Sequence, residues 1–124
     1  MSNRLEDLEI YNLSEVFSDN IWAIVSQWEY FAKDTVGKQL VRSADSIGAN
    51  IAEGFGRFHY KENKNFCYFS RGSILETKSW IKKSSTRNLI TPADYELLLQ
   101  RLETIHIKLN AYIKFIGKLQ VKND

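Results

Sequence analysis

At 124 residues the chain has the length of one domain, and a chain of that size buries about two-thirds of its unfolded surface. Its 44% hydrophobic and 26% charged residues exclude wholesale disorder, and no apolar run approaches the roughly 20 residues of a membrane span. The net charge of +2 names no partner, while one proline and six glycines favour long helices over many short strands.

The first helix is expected over about residues 5–28. Ile10, Leu13, Phe17, Ile21, Ile24 and Trp28 recur at spacings of three and four, which places them on one helical face. The opening run MSNRLEDLEI is acidic and polar and lacks the hydrophobic core of a signal peptide, so a cytoplasmic location is expected. Across residues 1–30, Arg4 stands against Glu6, Asp7, Glu9, Glu15, Asp19 and Glu29, a net of −5. A second stripe, Tyr11, Ser18, Trp22 and Val25, follows helical spacing away from the core face.

A second helix is expected over about residues 34–57, with Asp34 or Thr35 capping its free amides. Leu40, Ala44, Ile47, Ile51 and Phe58 fall on its core side. It contains the glycine-rich run SIGANIAEGFGR, Ser46 to Arg57. Phosphate-binding glycine loops follow a strand and carry G-x-x-x-x-G-K-[ST] or G-x-G-x-x-G, and neither pattern is present. The run reads instead as a close-packing helix motif, Gly48, Ala49, Asn50, Ile51, Ala52, Glu53 and Gly54. Gly48 is a point of close helix approach, because an interior glycine costs up to about 1 kcal/mol relative to alanine. Gly54 and Gly56 are expected where the helix frays into a turn, with His59 exposed in that turn.

The third helix, about residues 60–87, aligns Phe66, Phe69, Ser73, Thr77 and Trp80, with Ile74 and Ile81 alongside. Asn88 is its left-handed stop. Residues 61–90 hold seven cations, Lys61, Lys64, Arg71, Lys78, Lys82, Lys83 and Arg87, against Glu62 and Glu76, a net of +5. Lys64, Arg71, Lys78 and Lys82 form one stripe roughly 27 Å long, with Tyr68 and Leu75 beside it. Aligned cations with an adjacent aromatic suit a phosphate backbone, with Tyr68 placed to stack on a base. The same stripe also suits the acidic first helix of a neighbouring subunit, or plain solvent.

The fourth helix, about residues 92–118, has the clearest start: Thr91 caps, Pro92 takes the first helical position, and Asp94 favours the positive end. Tyr95, Leu98, Leu99, Leu102, Ile105, Leu109, Ile113 and Ile116 make its core face, with His106 among them. Leu97, Thr104, Ala111 and Phe115 form a second stripe on the opposite side. A monomeric bundle needs one buried stripe per helix, so second stripes on the first and fourth helices point to a homo-oligomer interface. Short connections force neighbouring helices antiparallel, giving an all-α, up-down-up-down four-helix bundle in a single domain, residues 1–124.

SADSIGANIAEGFGR, the GSILE that follows at Gly72 to Glu76, and the opening DLEIY at Asp7 to Tyr11 closely resemble the small bundle proteins encoded in intervening sequences of bacterial 23S ribosomal RNA genes. The resemblance covers roughly Asp7 to Leu119. It implies a ring, commonly a pentamer, without known catalytic activity. A related bundle is a reverse-transcriptase accessory, which implies RNA or a nucleoprotein as a partner.

The residues offer little catalytic chemistry. One cysteine, Cys67, cannot form an internal disulfide, and with two scattered histidines it supplies no zinc site. No cofactor, metal or membrane partner is expected. The leading expectation is a non-catalytic oligomeric module that binds RNA or a nucleoprotein. A structural or protein-binding oligomer without nucleic-acid affinity is the alternative, and an enzyme is the third.

Overall fold

A computed structural model describes residues 4–123, and those residues form helices and no strands. Met1, Ser2, Asn3 and Asp124, which the single-domain expectation includes, lie outside the described residues. A 3₁₀ turn at Leu5–Asp7 leads into α1, Glu9–Val25. The expected extension of this helix to Trp28 does not occur. The amides of Gln27 and Trp28 bond back only three residues, to Ile24 and Val25, and the chain turns.

The route into the second helix is the largest local departure from expectation. The chain is helical again at Tyr30–Ala32, widens to a π turn at Lys33–Gly37, and continues as α2, Lys38–Phe55. Asp34 and Thr35 therefore sit inside helical backbone and do not cap it. The Thr35 hydroxyl donates to the Phe31 carbonyl at 2.7 Å, and Asp34 pairs with Lys38 at 3.2 Å. A Cβ on Gly37 would lie 2.7 Å from Val25 Cγ1, so the missing side chain lets this turn wrap the end of α1.

The remaining boundaries are close to expectation. α3 spans Tyr60–Thr86, Asn88 stops it at a φ of 58°, and α4 begins at Pro92. The Asp94 amide donates to the Thr91 hydroxyl at 3.0 Å, which is the expected cap. α4 continues to Asn123, five residues past its expected end. Neighbours run antiparallel, as two paired positions in each case fix: Ser18 with Asp45 and Ser14 with Gly48 for α1 and α2, Ser70 with Ile47 and Thr77 with Ser43 for α2 and α3, Arg71 with Asn110 and Lys64 with Gln120 for α3 and α4. α1 also packs on α4, closing a four-helix bundle around Phe17, Ile21, Leu40, Ile47, Ile51, Ile74, Ile81, Leu98, Ile105 and Leu109.

On α3 the core face is rotated from the expected one. Cys67, Ser70, Ile74, Thr77, Ile81 and Ser84 point inward, Phe69 is exposed, and Phe66, Ser73 and Trp80 sit half-buried on the flank. The reason is the seam with α2, which is too narrow for aromatic rings. Ser70 donates to the Ile47 carbonyl at 2.8 Å, and the Thr77 and Ser43 hydroxyls bond each other at 2.9 Å. The displaced rings pair outside the seam, Phe66 edge-on to Phe69 at 5.6 Å. Phe58, expected in the core, lies beyond the end of α2 and is 91% exposed.

The glycine run is helical through Phe55. Gly48 is buried against α1, with the Glu15 carboxylate and Ser14 beside it, as expected of a close contact. Gly54 is not frayed. It is buried against α3, where an added Cβ would meet the Asn63 carbonyl oxygen at 2.9 Å and Phe66 Cβ at 3.0 Å. Gly56 follows the last helical residue in ordinary right-handed backbone.

Candidate nucleic-acid interface

Two helices build the basic face. Lys64 and Arg71 are half-buried and reach across to α4, where Lys64 Nζ donates to Gln120 Oε1 at 3.1 Å and Arg71 Nη1 to Asn110 Oδ1 at 3.0 Å. Arg71 also lies 5.1 Å over the Tyr68 ring, a cation–π contact on one side of a residue that is 40% exposed. Lys78 and Lys82 are exposed on the next turns of α3. Among the described residues none of these four cations forms an ion pair.

The stripe is not uniform in its surroundings. Lys78 shares a groove of about 280 Å³ with Glu96, Glu103 and His106, whose acids offset its charge. At the opposite end, Lys64 and Tyr68 share an open cleft of about 510 Å³ with Ile113, Lys114, Gly117, Lys118 and Val121. No carboxylate lines that cleft. Reading α3 alone missed Lys114, Gly117 and Lys118, because their place opposite Lys64 depends on the register between two helices. The Lys114–Lys118 spacing of four was the available signal.

The acidic side carries α1 and α2. Ser18 donates to Asp45, and the Glu15 carboxylate lies over Gly48. Burial raises the Glu15 carboxyl above its ordinary value, and the charges of Asp19 and Asp45 push it the same way. The folded state therefore holds this proton more tightly than the unfolded chain. Its contribution to stability is complete below the unfolded carboxylate range and is lost as pH rises through the folded value. Glu15→Gln is expected to be more stable than wild type near neutral pH by about 0.2–0.5 kcal/mol and to lose that advantage in acid. Urea melts at about pH 7 and about pH 4 check this; an unchanged difference between the two would refute it.

The second stripes fare unequally. Val25 is in the bundle core and Ser18 is buried with Asp45, so neither belongs to an outward face of α1. The spacing was right, but α2 and the π turn cover those two positions. Tyr11 is half-buried and Trp22 is 64% exposed. Trp22 borders a largely apolar cleft of about 490 Å³ with Val25, Tyr30, Gly37 and Val41. On α4, Leu97, Thr104, Ala111 and Phe115 are all exposed, with Ile107 beside them.

Other chemical groups stay apart. Cys67 is fully buried, and burial pushes its thiol up to about 12, which leaves it unreactive near neutral pH. His106, on the edge of the α4 core face, is half-buried in the α3–α4 groove, and His59 is exposed before α3. Among the described residues, no group of three or more His, Cys, Asp or Glu side chains is placed to hold a metal ion. No helix there is long and apolar enough to cross a membrane.

No curated protein matches the sequence. A crystal structure of a protein with unknown function from the S23 ribosomal protein family of Bacteroides thetaiotaomicron is similar, with a TM-score of 0.76 and 24% identity over 85% of this chain and 98% of that one. At that identity the likeness supports the bundle alone. The family model for the 23S rRNA-intervening sequence protein matches residues 6–111, which include the glycine run and the whole basic stripe of α3, and the chain belongs to that family.

Proposed function

We propose that the protein is a non-catalytic, self-associating module that binds RNA, free or within a nucleoprotein, along the α3–α4 face. The observation that carries this reading is the set of cations on that face, Lys64, Arg71, Lys78 and Lys82 joined by Lys114 and Lys118, with no ion-paired carboxylate among the described residues. Such a face releases counterions when phosphates replace them, so binding depends steeply on salt. Titrating labelled RNA at two salt concentrations tests it. Affinity that falls with salt supports the reading, and no detectable binding at low salt leaves a scaffold in its place.

Self-association is supported by the exposed apolar groups that one chain leaves uncovered: Trp22 on α1, and Leu97, Ile107 and Phe115 on α4. Trp22→Glu would bury an unpaired charge in a subunit contact, which costs several kcal/mol. Sedimentation is expected to give an oligomer for wild type, a ring if the family resemblance holds for assembly, and smaller species for Trp22→Glu. An oligomer unaffected by Trp22→Glu removes α1 from the interface, and a monomeric wild type at micromolar concentration removes the ring.

A further inference from the structure

The cleft between α3 and the end of α4 carries more than a diffuse positive field. We infer that it is a nucleotide-sized site that selects single-stranded RNA, stacking one base on Tyr68 and holding the flanking phosphates with Lys64, Lys114 and Lys118. This rests on the RNA-binding reading above.

Three features of the cleft support it. The cleft is an open, shallow depression of about 510 Å³, as an extended strand needs, and its lining combines three lysines with one aromatic ring and no acid. The Tyr68 ring is held rather than loose. Arg71 covers one side at 5.1 Å and is itself tied to Asn110 at 3.0 Å, while Tyr68 as a residue stays 40% exposed and lines the cleft. The floor is Gly117. A Cβ there would meet only Lys64 Nζ, at 3.8 Å, so the glycine leaves room in the cleft without serving any helix contact. Gln120 holds the Lys64 ammonium above that floor at 3.1 Å and thereby positions it.

Strand selection follows from this arrangement. A single strand can turn an unstacked base onto an aromatic ring, whereas a duplex keeps its bases stacked inside and offers only phosphates to the lysines. Duplex RNA therefore gains the electrostatic part of the binding and none of the stacking.

The test uses the full chain with a labelled oligouridylate of about 12 nucleotides, a duplex RNA of the same length, and uridine monophosphate and inorganic phosphate as competitors. Wild type is expected to prefer the single strand. Tyr68→Leu is expected to weaken single-strand binding roughly 5- to 100-fold and duplex binding much less. Gly117→Leu fills the floor without removing charge. It is expected to weaken the single strand in the same selective way while raising the melting temperature, since glycine is the poorer helix former. Single-strand binding untouched by both substitutions, or lost in parallel with duplex binding, overturns the site while the cationic-face reading stands. Inorganic phosphate competing as well as unlabelled oligomer overturns it in favour of a free-phosphate site, and uridine monophosphate doing so overturns strand selection in favour of a free-mononucleotide site. Binding of neither RNA removes both readings.

Discussion

Gly54→Ala is expected to lower the melting temperature even though alanine is the better helix former. The gain in helix propensity is at most about 1 kcal/mol. Against it, the new methyl would lie 2.6 Å from Asn63 Oδ1, 2.9 Å from the Asn63 carbonyl oxygen and 3.0 Å from Phe66 Cβ. The side-chain oxygen can rotate away, but the carbonyl belongs to the backbone of α3 and moves only with its helix. Overpacking of this kind costs about 1–3 kcal/mol, or roughly 4–12 °C for a domain of this size. Gly48→Ala is the matched control. Its methyl meets the mobile end of Glu15 and makes only ordinary contact with Ser14 Cβ at 3.5 Å. Thermal melts are expected to show Gly48→Ala at or above wild type. Equal losses at both positions would mean that the α2–α3 distance is no tighter than the α1–α2 distance.

Replacing Lys64, Arg71, Lys78 and Lys82 together with glutamine is expected to weaken RNA binding by roughly 10²–10³-fold near 0.1 M salt. Each phosphate no longer neutralised lowers the salt slope for a single strand by about 0.7, so the slope should flatten by about 3. Stability should change by no more than about 1 kcal/mol, because the substitutions remove surface bonds to Gln120 and Asn110 and leave the core intact. The two halves should not contribute equally. Lys78 stands near Glu96 and Glu103, whereas Lys64 faces only Lys114 and Lys118 among the charged cleft residues. Substituting Lys64 and Arg71 alone should therefore produce most of the loss. A fourfold variant that keeps its affinity sinks the RNA reading of this face. One whose oligomer falls apart instead shows the stripe pairing with the acidic α1 of another copy.

Helix number, order and most boundaries were legible in the sequence because each rests on local signals: apolar spacing, the Thr91–Pro92–Asp94 start and the Asn88 stop. What failed depended on neighbours. Phe66 and Phe69 have the hydrophobicity of core residues, but the narrow α2–α3 seam admits serine, threonine and cysteine in their place. Hydrophobic periodicity undervalues such residues and so misplaces the face by part of a turn. Ser18 and Val25 had the spacing of an outward stripe and were covered by chain that returns from a π turn, for which Asp34 and Thr35 give no sign. Most of the candidate cleft was unreadable from α3 alone, since Gly117, Lys114 and Lys118 face Lys64 only once α4 is laid alongside.

The Gly54 contact also limits how the bundle can move. Sliding α3 along α2 by one helical turn, about 5.4 Å, would in one direction bring Asn50 into the place of Gly54 and in the other carry the contact past Phe55, the last residue of α2. Asn50 does not fit where even one added carbon would lie 2.9 Å from a backbone oxygen. Ser70 would leave the Ile47 carbonyl in the same step, and Thr77 would leave Ser43. Shear between these two helices is therefore opposed in both directions, while α1 meets α2 partly through the flexible carboxylate of Glu15. In any rearrangement that accompanies binding or assembly, α2 and α3 are expected to travel as one body, and the looser contact is that of α1.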